Sequence, residues 1–527
     1  MPGQAARADN VHFTAEYLRV KALAERGVAN AQHSLGFMYF NGEGVAQNHQ
    51  AAVEWYRLAA GQGLEHAQYN LGVMCQKGQG LEQSYEQAAH WYLLAAEQGY
   101  AAAQYNLGWL YAKGHGIAQN PAQAMHWFSK AAEQGDAGAQ NNLGMMYDNG
   151  KGVPQDYGQA IAWYRKAAEQ GHARAQFNLG LRYDNGQGVA QDRQQAMSWF
   201  RKAAEQGYAP AQFNLALRYD KGEIVDADSA KAILWYRRAA GQGHASSQFN
   251  LGLIFDNGQG VPRDEQQALE WYRQAAAQGH AAAQNNLALH YEHGQGVAQD
   301  YVQAELWYRK AAEQGFAAGQ YHLGLLHDHG YGMPPDHREA VFWYRKAADQ
   351  GHVRAQFDLG LRYETGQGVP RDAALALAWY RRAAEQDYAP AQYMLGLLHD
   401  QDDGPAPDGA QAHDWYRKAA EQGHTLAQFT LALRYDNGQG VAQDYAAAHA
   451  WYLKAARQGH ARSQLNLGLM YASGQGAPSD PMQAYLWLAM ADKGGAQGAA
   501  RFARQTAARL GAAELAHAQQ RLELLPG

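Results

Sequence analysis

Five histidines in the middle of the sequence could hold a metal ion. They are His290, His293, His322, His327 and His329. His322 and His329 are seven positions apart, which would place both side chains on one face of a helix. A neutral imidazole is a common metal ligand, so a metal site is one hypothesis. The hypothesis we favour is that these are surface or core histidines, some of them sensitive to pH.

Other motifs that could carry chemistry point away from catalysis. A recurring G-x-G-V sequence resembles part of a phosphate-binding loop, but it follows a predicted helix and lacks the Gly-Lys-Ser/Thr ending. The sequence has no G-x-S-x-G, H-E-x-x-H, paired C-x-x-C or S-x-x-K motif. We therefore predict no catalytic residue, no cofactor and no enzyme. A hydrolase acting on cell-wall or β-lactam substrates stays open as a remote alternative.

The spacing of the tryptophans indicates which repeating unit positions these residues. All tryptophans but one, Trp109, recur at a step of 36 residues, and such a fixed step indicates a repeat array. The series is Trp55, Trp91, Trp127, Trp163, Trp199, Trp235, Trp271, Trp307, Trp343, Trp379, Trp415, Trp451 and Trp487.

One unit contains two predicted helices. The first runs from about Arg174 to Asn185 and ends at Gly186, a residue that accepts the left-handed conformation past a helix end. Asp192 begins the second helix as its N-cap, and Gly207 ends it. Asp, Asn or Ser occupies the Asp192 position in every unit, so we assign these side chains to capping and not to catalysis.

Composition limits the location and the kind of partner. The formal net charge of −6 is small for 527 residues, so we expect no nucleic-acid partner. A single cysteine excludes an intrachain disulfide. No apolar segment approaches the roughly 20 residues that span a bilayer, and the N-terminus lacks a signal-peptide pattern. We predict a cytoplasmic protein with no membrane span, most simply a monomer.

The repeat resembles the Sel-one-like repeat family, a relative of the tetratricopeptide repeat. The resemblance lies in A-Q-F-N-L-G-L-R-Y-D-N-G-Q-G-V-A-Q-D at 175–192 and A-x-x-W-F-R-K-A-A-E-Q-G at 196–207. It implies an all-α fold, a right-handed α-solenoid of antiparallel helix pairs with 36 residues per repeat. We predict an N-terminal capping helix within 1–28, thirteen tandem repeats over 29–496 and C-terminal capping helices within 497–527.

The resemblance also implies a scaffold, adaptor or regulator of protein complexes. In tetratricopeptide-like stacks the outward side of the first helices lines a concave groove. On a helical wheel that side carries Leu181 and Asn178, opposite the buried Leu179 and Tyr183. We expect partner contacts from three sets of residues that recur along that side of the first helices: an apolar series, an asparagine series and a charged series. Each series also has a structural alternative. The apolar residues could pack between adjacent first helices, the asparagines could form local hydrogen bonds between helices, and the charged residues could form a solvated rim of paired charges.

The first four repeats lack most of the charged residues and carry methionine and aromatic residues, which are typical of adaptable binding surfaces. We therefore predict a groove whose partner-binding residues are Phe37, Met38, Met74, Trp109, Leu110, Met145, Met146, Asn70, Asn106, Asn142, Asn178, Arg182, Asp184, Arg218 and Asp220. The predicted function is a non-enzymatic scaffold or adaptor that binds a protein or peptide partner. The alternative is a dedicated inhibitor or immunity partner of one toxin or enzyme.

Overall fold

The computed structural model describes residues 14–400 and 408–524, and these residues form helices joined by short turns, with no strand among them. The outer parts of the predicted capping segments, 1–13 and 525–527, lie outside the described residues. The chain divides into two compact units, Met1–Arg263 and Asp264–Gly527. From α2 to α27, even-numbered helices are the first helix of a repeat and odd-numbered helices are the second.

The helices of the first unit are α1 (Ala15–Glu25), α2 (Ala29–Asn41), α3 (His49–Gly61), α4 (Glu65–Lys77), α5 (Tyr85–Glu97), α6 (Ala101–Lys113), α7 (Pro121–Glu133), α8 (Ala137–Asn149), α9 (Tyr157–Glu169), α10 (Ala173–Asn185), α11 (Arg193–Glu205), α12 (Ala209–Lys221), α13 (Ser229–Gly241) and α14 (Ala245–Asn257).

The helices of the second unit are α15 (Glu265–Ala277), α16 (Ala281–His293), α17 (Tyr301–Glu313), α18 (Ala317–His329), α19 (His337–Asp349), α20 (Val353–Thr365), α21 (Ala373–Ala384), α22 (Ala389–Asp400), α23 (Gly409–Glu421), α24 (Thr425–Asn437), α25 (Tyr445–Arg457), α26 (Ala461–Ser473), α27 (Pro481–Lys493), α28 (Ala499–Ala507) and α29 (Ala512–Leu524).

The predicted helix ends are confirmed. The Asp192 carboxylate accepts a hydrogen bond from the backbone N–H of Gln195 at 2.9 Å, and Gly186 ends α10 with a φ of 66°. The sequence did not predict a cap for the first helix. His172 Nδ1 accepts from the N–H of Ala175 at 3.2 Å, and this adds one residue to the start of the helix.

Close packing between the two helices of a repeat depends on the small residue at position 180. A Cβ atom on Gly180 would lie 2.7 Å from the ring of Phe200, so the first helix can approach this ring only because glycine has no side chain. The same contact recurs between Gly144 and Tyr164 in the preceding repeat. In both repeats a residue without a side chain on the first helix therefore faces a large aromatic ring on the second.

The tryptophans of the 36-residue series do not form the fully buried core. The fully buried aromatic ring belongs to the next residue: Tyr164 is 1% exposed, whereas Trp163 is partly exposed. Only Trp127 and Trp343 of the series are buried among the described residues. One helical step of 100° separates the two positions, so the ring after each tryptophan points into the helix pair. The tryptophan lies at the edge of the core, where Lys166 Nζ lies 4.1 Å from the ring centroid of Trp163.

A ladder of buried glutamines joins consecutive repeats. Gln176 Nε2 donates to the carbonyl oxygen of Ala168 at 3.1 Å, and Gln206 Nε2 donates to Gln176 Oε1 at 2.8 Å. Gln176 is 5% exposed. The Gln176 side chain thus connects the second helix of the preceding repeat to both helices of its own repeat. Each pair of neighbouring repeats gains polar bonds of this kind.

Candidate functional site

The outward side of the first helices carries one bulky apolar residue per repeat, which we call the apolar series. Phe37 is 44% exposed, and every later member is partly exposed. The series is Phe37, Val73, Trp109, Met145, Leu181, Leu217, Leu253, Leu289, Leu325, Leu361, Leu397, Leu433 and Leu469. Members such as Leu181 pack against the edge of the core with the rest of the side chain open to solvent. This side therefore offers a repeated apolar contact that the repeats themselves do not fully cover.

Three of the predicted groove residues lie inside instead of on the surface. Met74, Leu110 and Met146 are 1%, 0% and 8% exposed. They occupy the position after the apolar series, which faces the seam with a neighbouring repeat. Met38, at the same position in the first repeat, is partly exposed and packs against the core formed by α1 and α2.

Arginines occupy the same position in later repeats, where they pair with the acidic residues of the preceding repeat, so the charges are paired as expected but the pairs are largely buried instead of solvated. An Arg182 guanidinium nitrogen lies 3.0 Å from an Asp148 oxygen of the preceding repeat, with side-chain exposures of 15% and 13%. Arg218 pairs with Asp184 in the same way, with exposures of 12% and 14%. These ion pairs connect repeats, and their carboxylates are therefore already engaged.

Where the second helix carries a tyrosine at the buried position, its hydroxyl also donates to the carboxylate of the same repeat, as Tyr164 does to Asp148 at 3.3 Å. Tyr236 Oη lies 3.4 Å from Asp220 Oδ2. In the next repeat, the position equivalent to Arg218 is Ile254, so Asp220 has no arginine partner from that position. Without that cation, burial raises the pKa of the Asp220 carboxyl group, although the Tyr236 hydrogen bond partly offsets the shift.

Several members of the asparagine series make local hydrogen bonds. Asn178 Nδ2 donates to Asn141 Oδ1 at 3.1 Å, and Asn70 Nδ2 lies 2.9 Å from His33 Nε2. Asn106 lies close to the Tyr92 hydroxyl group. All three amides are partly exposed, so each retains some capacity to bond a second partner. Their role in holding a peptide backbone stays a prediction.

The predicted residues meet at one place in the first unit. A cavity of about 550 Å³, which we call the Trp109 cavity, lies between repeats 101–136 and 137–172. Its lining includes Trp109, Asn142, Met145 and Met146, together with the ring of Phe128. Four of the predicted groove residues therefore line one cavity, and Met146, although buried, forms part of its wall.

The rim of the Trp109 cavity is basic, which the sequence pattern did not predict. Lys113, Lys151 and Arg174 line it, and all three side chains are exposed. They come from three successive repeats and from different positions within them, so no single series of the repeat reveals them. Lys151 and Arg174 belong to repeats that carry the acidic residues Asp148 and Asp184, so the lack of acidic series residues in the first three repeats does not reveal the rim.

The five central histidines do not form a metal site in the part of the chain that the structure describes, where no three His, Cys, Asp or Glu side chains are placed to hold an ion. His290 Nδ1 lies 2.8 Å from the carbonyl oxygen of Gln295, and His322 Nδ1 lies 2.9 Å from Asn285 Oδ1. Burial lowers the pKa of His322 to about 4, so this ring is neutral at physiological pH. Within the described ranges, no helix has the length and apolarity needed to cross a membrane.

Antiparallel helix pairs with 12 or 13 residues per helix, joined to neighbouring pairs by the glutamine ladder, define an α-solenoid of the tetratricopeptide-like class. The chain belongs to the Sel1 repeat family: the Sel1 repeat model matches thirteen consecutive segments, beginning with 29–64 and ending with 461–491.

Solved structures similar to the chain include members of this family. A protective antigen of uropathogenic Escherichia coli that displays an SLR fold is 32% identical, covers 96% of this chain and 93% of its own, and has a TM-score of 0.46. A Sel1 repeat protein from Oxalobacter formigenes is 37% identical over 59% of this chain and 89% of its own, with a TM-score of 0.48. An immunity protein from Pseudomonas aeruginosa is 24% identical over 40% and 81%, with a TM-score of 0.28. No curated protein matches the chain.

Proposed function

We propose that this protein is a non-enzymatic interaction scaffold that binds a protein or peptide partner along the outward side of its first helices. The observation that carries the proposal is the apolar series, a partly exposed bulky residue in each of thirteen consecutive repeats. Scattered apolar side chains are normal on a protein surface, but an exposed apolar position that recurs in every repeat supports an interaction surface. Membership of a repeat family whose members commonly mediate protein interactions supports the same function.

The second helices provide the comparison. Their exposed apolar residues, such as Leu58 and Leu234 at 52% and 48%, do not recur in every repeat. A partner that binds along the repeat array should therefore contact the first-helix side. Arg182 and Arg218 stabilise the seams between repeats, and we assign them to architecture and not to direct partner contact.

Site-specific photocrosslinking tests the proposal. p-Benzoylphenylalanine would replace Met145 or Leu181 on the first-helix side, and Leu58 or Leu234 on the second-helix side, in the full chain expressed in its organism of origin. We expect one or a few defined adducts from the first two positions and none from the last two. Adducts from the second helices alone would contradict the proposal. A single stoichiometric adduct would favour the inhibitor or immunity function within this class of binding protein.

A further inference from the structure

We infer that the Trp109 cavity binds an apolar side chain of a peptide segment whose neighbouring residues are acidic. The inference rests on the proposed function and identifies the chemistry of the partner at one place on the scaffold.

The interior of the cavity suits an apolar side chain. Trp109 and Met145 are partly exposed in its wall, and the ring of Phe128 and the side chain of Met146 complete the wall. A volume of about 550 Å³ is ample for a leucine or phenylalanine side chain with its backbone. Methionine side chains adapt to the shape of the group that enters.

The rim specifies the charge of the residues beside that anchor. Lys113, Lys151 and Arg174 contribute three positive charges, and the lining has no aspartate or glutamate among the described residues. Within the described parts of the chain, none of the three makes an ion pair, whereas Arg182, eight residues beyond Arg174, pairs with Asp148. In a chain with a net charge of −6, three uncompensated cations around an apolar cavity are complementary to carboxylates.

A peptide explains the cavity better than a nucleic acid does. Binding along a phosphate backbone requires a track of cations, and the basic residues here surround one cavity. Asn142, in the same lining, offers both a donor and an acceptor to a peptide backbone. A nucleic acid therefore enters the test as a competing outcome.

Methyl resonances of methionine can report on the cavity directly. The full chain has 12 methionines, and ε-¹³C-methionine labelling would resolve Met145 and Met146, assigned with the variants Met145→Leu and Met146→Leu. The probes are acetyl-Asp-Asp-Phe-Asp-Asp-amide, the same peptide with four lysines in place of the aspartates, the same acidic peptide with alanine in place of phenylalanine, and a thymidine hexanucleotide.

We expect the acidic phenylalanine peptide to shift the Met145 and Met146 resonances at a concentration about tenfold lower than any other probe requires. The triple variant Lys113→Glu, Lys151→Glu, Arg174→Glu should lose this preference. Lys77→Glu is the matched control, because Lys77 ends the first helix of the second repeat as Lys113 ends that of the third and does not line the cavity.

Three results would overturn the inference: equal or tighter binding of the lysine peptide, tighter binding of the hexanucleotide, or no shift of Met145 and Met146 with the acidic peptide. None of these would contradict the proposed function if photocrosslinking still maps a partner to the first-helix side. Failure of that crosslinking would instead remove the proposed function itself.

Discussion

Arg362 Nη2 lies 2.5 Å from Asp328 Oδ2, and the two residues are 34 positions apart in adjacent repeats. Only 12% of the arginine side chain and 2% of the aspartate side chain are exposed. Tyr344 Oη also donates to the same Asp328 oxygen at 3.0 Å. The buried Asp328 carboxylate thus joins two repeats through several partners. If one partner is removed, the negative charge of the carboxylate stays buried with too few groups to compensate it.

We expect Arg362→Ala to lower the free energy of unfolding by about 3 kcal/mol, because truncation of one partner leaves the other charge buried. Urea unfolding followed by circular dichroism would measure the change. The matched control is Arg354→Ala, which removes an exposed arginine from the same helix and should change the free energy by less than about 0.5 kcal/mol. Equal effects of the two substitutions would show that the ion pair does not stabilise the stack.

The aromatic residues of a second helix should differ in their contribution to stability. Tyr164→Ala empties a fully buried site and should cost about 4 kcal/mol. Trp163→Ala removes a partly exposed ring and should cost about 2 kcal/mol. The same unfolding measurement compares them, and a larger loss for Trp163→Ala would contradict the assignment of the core.

Ile224 occupies a turn position where other repeats have glycine, and its φ is 76°. A β-branched residue is strained in this left-handed region, so Ile224→Gly should stabilise the chain by about 1 kcal/mol. The reverse change in the preceding repeat, Gly188→Ile, should be destabilising. There the φ is 72° and a Cβ would lie 2.5 Å from the Cβ of Tyr157. A rise in melting temperature for Gly188→Ile would contradict this account.

The histidine caps predict a loss of stability in acid. Burial lowers the pKa of the capping imidazoles, because removing the ring from water penalises its charged form. The five caps with this shift are His172, His280, His352, His424 and His460. The unfolded chain binds protons more readily than the folded chain, so stability is fully present above a pH of about 6.5 and falls as the pH decreases below it.

A variant with aspartate at all five positions tests this pH dependence. Asp136 already serves as a cap of this kind, and its carboxylate accepts from the N–H of Ala139 at 2.7 Å. Unfolding in urea at pH 7.5 and 5.5 should show a smaller loss for the variant than for the native chain. An identical loss in both proteins would assign the acid sensitivity to other groups.

The sequence predicted the helices better than it predicted the site. Asp192 and Gly186 mark helix ends through local backbone chemistry, so their roles follow from a few neighbouring residues. The burial of Tyr164 instead of Trp163 depends on one step around a helix, and both residue types fit either position. The pairing of Arg362 with Asp328 depends on how adjacent repeats align, which no local pattern specifies.

The candidate site illustrates the same limit. Trp109 was recognised because it breaks the tryptophan step, and the structure places it in the cavity wall. Met74 and Leu110 are also large apolar residues, yet they are buried at the seam between repeats. The basic rim depends on three repeats coming together in space, so residue type alone could not identify it.

The central claim is that a partner binds through the apolar series at the Trp109 cavity, and the affinity of the photocrosslinked partner tests it most directly. Titration calorimetry would compare the native chain with Trp109→Ala, Met145→Ala and the second-helix control Leu234→Ala, after circular dichroism has shown that all four are folded. We expect Trp109→Ala to weaken binding by about thirtyfold and Met145→Ala by a smaller factor, with Leu234→Ala unchanged. Native affinity in both Trp109→Ala and Met145→Ala would contradict the claim.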